Sequence, residues 1–267
     1  MAQAEENGSP IRLFRLASML SALTAIDSST LILLVLVAGA AGLARGFSGF
    51  GAALIFMPAA SALVTPAVAA PVLLITDALL AMGFIPAAWR KARRQDVAVM
   101  AAGAVPGVPL GTYILNYADP MPLRWAIAAL ATAMFLLLVS GWRYKAAPKP
   151  PVTMAVGAIA GLFGGMAQLT GPPVVAYWLS GREDAGTVRA NIILLFAATT
   201  VFTIVSYSVS GLLTLEVAAF AIVVGPLYAL GLFLGAKVFG FASEIVFRRI
   251  CYSLIALSVL SSLPVWQ

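Results

Sequence analysis

The chain has 267 residues, 62% of them hydrophobic and 10% charged, with a formal net charge of +6 and a mean hydropathy of +1.01. A soluble domain carries roughly 45–50% apolar and about 25% charged residues, so a water-soluble fold is excluded. With one cysteine, Cys251, and no histidine, disulfide frameworks, zinc or haem sites and histidine-based catalysis lack their usual residues, and neither metal, cofactor nor enzymatic activity is expected.

Residues 1–29 interleave Ile11, Leu13, Phe14, Leu16, Met19, Leu20 and Leu23 with Arg12 and Arg15 at helical spacing, which predicts an amphipathic helix lying in the membrane interface. Arg15 and Ser18 interrupt its apolar part, unlike the core of a cleaved signal. Next come helices over about 30–47, 52–64, 67–89, 97–117 and 122–142, and a charged, proline-rich linker at 143–151. A second series follows at 152–167, 172–179, 187–211, 215–239 and 245–263. Most approach the ~20 residues that an α-helix needs to cross the hydrocarbon, and none shows the alternation of a membrane barrel. The segments 52–64 and especially 172–179 are too short to cross alone.

The two series read as copies of one unit. Gly46 and Gly165 lie 119 positions apart, while Gly111 and Gly235, and Arg124 and Arg248, lie 124 apart. The expected architecture is an all-α integral membrane fold. An N-terminal interfacial segment (1–29) precedes transmembrane repeat 1 (30–142), a cytoplasmic linker (143–151) and repeat 2 (152–267). Each repeat holds a Gly-rich broken helix pair and three longer helices. The Lys/Arg bias places Arg90, Lys91, Arg93 and Arg94, then Arg143, Lys145 and Lys149, Arg182 and Arg189, and Arg248 and Arg249 on the cytoplasmic side. Each copy then makes an odd number of crossings, so the copies insert with inverted topology. Arg12 and Arg15 fall outside under this arrangement. The cations sit in short inter-helix stretches, which is loop charge and predicts no nucleic-acid partner.

Arg45-Gly-Phe-Ser-Gly-Phe-Gly51 and Gly164-Gly-Met-Ala-Gln-Leu-Thr-Gly-Pro-Pro173 break the first helix of each copy at membrane depth. Unwound backbone is tolerated there only when packed in protein or lining a polar cavity. Each short second helix starts at such a break, so its free N–H groups and positive dipole end point into the protein centre. Two converging helix N-termini plus a cation make an anion site. Its candidate residues are Arg45, Gly46, Ser48, Gly49, Gly51, Gly165, Gln168, Thr170, Gly171, Pro172 and Asn191.

Competing readings are that these glycines permit tight helix packing, that Arg45 snorkels to an interface, and that Asn191 serves a helix start. Packing is the preferred reading for Gly107, Gly111, Gly231 and Gly235. Replacing Arg45 by Gln is expected to abolish anion transport in a protein still inserted and folded. Asp77, alone near the middle of a long helix, is either a coupled proton carrier, a counter-ion for Arg45 or a neutral cross-helix hydrogen-bonding group.

Gly42-x-x-x-Gly46-x-x-Gly49-x-Gly51 followed by Pro58, and Gly161-x-x-x-Gly165 leading to Gly171-Pro172-Pro173 and Tyr177, resemble the TauE/SafE family of sulfite and organosulfur anion transporters over residues 31–263. The resemblance implies a multi-pass protein of a prokaryotic cytoplasmic (inner) membrane. It implies secondary, not ATP-driven, transport of sulfite, sulfoacetate, thiosulfate or related anions, by alternating access. Gln168 stands where the family more often has glycine, and Arg45 where an uncharged residue is common. A coupled proton or sodium ion fits this reading. An anion channel, or in a different class a membrane assembly protein, are the alternatives.

Overall fold

The computed structural model describes residues 26–141, 149–178 and 184–238, together with 253, 255–258 and 260. The interfacial segment with Arg12 and Arg15 lies outside the described residues, as do Arg143, Lys145, Arg182, Arg248, Arg249 and Cys251. So does most of the final helix of the second series; 255–258 within it are helical.

Every described element is helical. They are α1 (Ser28–Ser48), α2 (Ala52–Leu63), α3 (Pro66–Ala81), a 3-10 turn (Met82–Phe84), α4 (Ile85–Lys91), α5 (Arg94–Tyr117), α6 (Pro120–Val139), α7 (Pro150–Ala167), α8 (Gly171–Trp178), α9 (Ala185–Val209) and α10 (Leu215–Val238). Among the described residues, seven stretches are long and apolar enough to span a membrane, with α3 and α4 counted as one. At 1.5 Å per residue, α2 and α8 reach only about 18 and 12 Å. Their shortness follows from what bounds them: a glycine or threonine break at one end, and at the other the extended Val64–Thr65 turn for α2.

Large apolar side chains point outward. Ile32, Leu33 and Leu36 on α1, Val201, Val205 and Val209 on α9, and Leu230, Phe233 and Leu234 on α10 are exposed, Val209 by 85%. In water such a surface would drive association, whereas facing lipid it is the expected covering. Polar groups turn inward, among them Arg45, Thr76, Thr112, Thr153, Thr170, Asn191, Thr199 and Thr203.

The helices pair across the two series: α1 packs on α10 and α7 on α5, while α3 also meets α10 and α9 meets α5. Glycine sets the first two contacts. A Cβ added at Gly42 or Gly46 would fall 2.2 or 2.0 Å from the carbonyl oxygen of Tyr228 or Leu232, and one at Gly231 or Gly235 would fall 2.2 Å from that of Gly39 or Leu43. On the other pair, Gly103, Gly107 and Gly111 of α5 face Met154, Ala158 and Leu162, and Gly157, Gly161 and Gly165 of α7 face Met100, Ala104 and Val108. Backbones this close leave no room for a side chain, so these glycines serve packing, as small residues do in membrane helices.

Helix entry is fixed locally. Asp184 caps α9, accepting from the N–H of Gly186 (2.9 Å) and Thr187 (3.1 Å) and from the Thr187 hydroxyl (2.6 Å). These hydrogen bonds, led by the hydroxyl, hold its carboxyl below the usual carboxylate range.

Candidate functional site

Both first helices end on the same device. Gly49 closes α1 in the left-handed region (φ 77°), and Gln168, 119 positions later, closes α7 there too (φ 57°). The Gly49 N–H bonds the Arg45 carbonyl (2.9 Å), and the Gln168 N–H bonds that of Gly164 (2.8 Å). Gly51, also left-handed (φ 99°), then reverses the chain into α2. A left-handed stop suits glycine and costs an L-residue about 1–2 kcal/mol. Gln168 bears that strain while its Nε2 donates to the Tyr207 hydroxyl (3.2 Å), which in turn donates to the Gly165 carbonyl (2.8 Å). Gln168→Gly should therefore be more stable than Gln168→Ala by about 1 kcal/mol, although both lose the bond to Tyr207. Melting of the two purified variants checks the order.

Between the two breaks lies a cavity with about 570 Å³ of empty space, counting its open mouth. Gly51, Ala52, Ala53 and Leu54 bring the start of α2 to its wall, and Thr170, Gly171 and Pro172 bring the start of α8. No side chain caps Gly51, so the first-turn N–H groups of α2 open toward this space. Pro172 and Pro173 have no N–H, which leaves Gly171 as the principal backbone donor from α8. The donor set is thus richer on the α2 side, and the side chains of Gln168 and Thr170 supplement the other.

Arg45 reaches the cavity four residues before the C-cap of α1 and is 6% exposed. The snorkelling reading is overturned by that burial and by its partners. Nε lies 2.8 Å from Oδ1 and 3.1 Å from Oδ2 of Asp77, Nη2 lies 3.0 Å from Oδ2, and Nη1 donates to the Gly49 carbonyl. The guanidinium carbon sits 5.0 Å from the centre of the Phe196 ring, a cation–π distance. Asp77 Oδ1 also accepts from the Tyr228 hydroxyl at 2.6 Å. Of the readings open for Asp77, the geometry found is that of a counter-ion to Arg45.

The other candidates separate. Gln168, Thr170, Gly171, Pro172 and Gly51 line the cavity with Arg45 and Asp77. Gly46 and Gly165 do not, because their Cα atoms face the helix crossings described above. Ser48 shapes the break from behind, donating to the Ala44 carbonyl (2.7 Å) and accepting from the Phe50 N–H (3.3 Å). Gly49 offers its carbonyl to Arg45 and packs against the Arg189 side chain. Asn191 is buried elsewhere and accepts from the Arg93 N–H (2.7 Å), tying α9 to the start of α5.

Sequence reasoning missed Phe196, Thr199, Thr200 and Thr203 on α9, and Tyr228 on α10. Three threonines within one helical turn of an apolar span are a signal for an inward polar face. Phe196 occupies, 119 positions on, the place that Asp77 holds in the first series. Polar groups of one series therefore meet a hydroxyl and aromatic wall from the other. Thr199 and Thr203 donate to the Leu195 (3.1 Å) and Thr199 (2.8 Å) carbonyls, so they present hydroxyl oxygens more readily than hydrogens.

A family model described as sulfite exporter TauE/SafE matches residues 34–262. No curated protein and no solved structure matches the chain.

Proposed function

The chain belongs to the sulfite exporter TauE/SafE family, and from that premise we propose that it is a secondary transporter of small anions, sulfite, sulfoacetate or related organosulfur compounds. It works by alternating access about a midplane site between two inverted-topology repeats, in a prokaryotic inner membrane, and has no enzymatic activity. The observation that carries this reading is the cavity where the starts of α2 and α8 meet beside Arg45. Helix N-termini present unpaired N–H groups and partial positive charge, and arginine adds a planar fork that matches oxyanion geometry.

The crossed pairing of α1 with α10 and α7 with α5 supports the repeats. Rocking of one series against the other would slide these glycine-lined contacts while the breaks keep the substrate between them. Candidate contacts are the α2 N–H groups on one side and Gly171, Thr170 and Gln168 on the other, with Arg45 between. Orientation follows the cation-rich junction of α4 and α5, Arg90 to Arg94, which faces the cytoplasm.

Thermal-shift measurements on purified protein with sulfite, sulfoacetate, taurine, sulfate and simple carboxylates test the ligand class. A bound ligand stabilises in proportion to RT ln(1 + [L]/Kd), about 2.7 kcal/mol at a hundredfold excess over Kd. Stabilisation by sulfur oxyanions is expected. Stabilisation by zwitterions or cations alone would contradict an anion site.

A further inference from the structure

We propose that an anion and a proton occupy this site together: Asp77 takes up the proton as it yields the Arg45 guanidinium to the anion. This rests on the transporter reading above and names its coupled partner.

In the structure the anion-binding fork of Arg45 is already filled. Nε and Nη2 hold the Asp77 carboxylate, and Nη1, which would open the other edge, is on the Gly49 carbonyl. An incoming oxyanion that needs two parallel N–H donors competes directly with Asp77. The Arg45–Asp77 pair is neutral, so an added anion leaves the site with two negative groups sharing one cation. In a buried site that arrangement is unfavourable unless a proton arrives with the anion.

The two oxygens of Asp77 are not equivalent, and this decides where the proton goes. Oδ1 accepts from the Tyr228 hydroxyl at 2.6 Å as well as from Arg45, and so has a donor that is independent of the guanidinium. Among the described residues Oδ2 is held by Arg45 alone, through Nε (3.1 Å) and Nη2 (3.0 Å), so losing the guanidinium leaves it without a described protein donor. Protonation at Oδ2 restores its pairing, because the new O–H donates to the bound anion or to cavity water. Only O–H bonds change: Oδ2 gains its proton from hydrated protons on one side, and that O–H breaks again as the proton returns to water on the other side with the anion.

Nothing else at the site substitutes for Asp77. Among the described residues lining the cavity, Arg45 and Asp77 are the charged ones. From the neighbouring elements, Tyr228 of α10 donates to Asp77, Arg189 of α9 donates to the Gly46 carbonyl (3.0 Å), and Arg124 of α6 donates to the Ala62 carbonyl. From α2, α5 and α7 no ionisable side chain lines the cavity. Site-to-site linkage is reciprocal: if binding recruits the proton, protonation tightens binding by the same factor.

Full-length protein in liposomes, with labelled sulfoacetate as probe, tests the exchange between about pH 6 and pH 8, where its sulfonate and carboxylate stay ionised. For the wild type, an inward proton gradient should drive accumulation, and apparent affinity should weaken by up to about tenfold per pH unit. Asp77→Asn keeps an oxygen for Tyr228 and is permanently neutral. It should bind with little pH dependence and lose gradient-driven accumulation. Accumulation by Asp77→Asn equal to wild type overturns the proposal, as does binding by this variant with the pH dependence of the wild type. Should this variant not fold, wild-type protein in weakly buffered detergent should take up about one proton per sulfoacetate bound; no uptake overturns the proposal equally. If wild-type protein shows no sulfoacetate counterflow, the transport reading itself fails, and the proton exchange with it.

Discussion

Arg45→Gln is expected to abolish anion uptake and to lower stability by about 3 kcal/mol, because among the described residues it leaves Asp77 inside the protein with only Tyr228 to hold it. The sequence predicts a variant still inserted and folded, and the burial of the pair adds this cost in stability. Arg45 is 6% exposed and Asp77 22%, so the charge left behind is poorly solvated. Adding Asp77→Asn removes the orphaned charge. The double variant should regain most of the lost stability and none of the transport, since the fork that grips the anion is still missing. Melting temperatures in detergent and uptake in liposomes separate the two effects. A double variant no more stable than Arg45→Gln would mean that the pair is not coupled. Uptake by Arg45→Gln at the wild-type rate would remove Arg45 from the site.

Gly111→Ala should destabilise the protein by about 3 kcal/mol, and Gly111→Val by more, for a wholly different reason. The new Cβ would lie 2.1 Å from the Leu162 carbonyl oxygen and 2.7 Å from the Met166 nitrogen. Backbone atoms cannot rotate away, so α5 and α7 must separate. Separation also loosens the contacts at Gly107 and Gly165 on the same crossing. Gly107→Ala combined with Gly111→Ala should then cost less than the sum of the singles, because helices already parted have room for the second methyl. Gly83 is the control: its added Cβ meets nothing within 4 Å, and Gly83→Ala should melt with the wild type. Detergent-solubilised melting of these variants and of Gly107→Ala alone checks the series.

The contrast between these glycines shows what the sequence did and did not reveal. Helix positions were legible because apolar runs interrupted by glycine and proline map directly onto spans and breaks. The observed ends of α1, α2, α7 and α8 fall within about two residues of expectation. Glycine's two uses look identical in one dimension. Gly49 and Gly51 are needed for left-handed backbone, whereas Gly46 and Gly165, equally part of the break motifs, are needed for close approach of a neighbouring helix. Only the crossing of α1 with α10 and α7 with α5 tells them apart.

Arg45 and Asp77 were legible as isolated charges in apolar sequence, and burial made a partner obligatory. That the two partner each other across 32 positions, and that Tyr228 joins them, depends on how α3 and α10 pack. Thr199, Thr200 and Thr203 escaped notice because they are uncharged residues within a span of high mean hydropathy, whose partners cannot be read from α9 alone. Which face turns inward is a tertiary decision. Asn191 went the other way: a polar residue near a helix start could reach the cavity or serve that start, and it accepts from the Arg93 backbone at the start of α5 instead.

Transport of an anion through the Arg45 cavity by alternating access is tested most directly by counterflow. Liposomes containing the full-length chain are preloaded with unlabelled sulfoacetate, and entry of labelled sulfoacetate is followed. Internal substrate should accelerate entry several-fold over empty vesicles, and Arg45→Gln/Asp77→Asn vesicles should show no entry above protein-free controls. Entry indifferent to internal substrate, or undiminished in the double variant, would contradict a carrier built around this site.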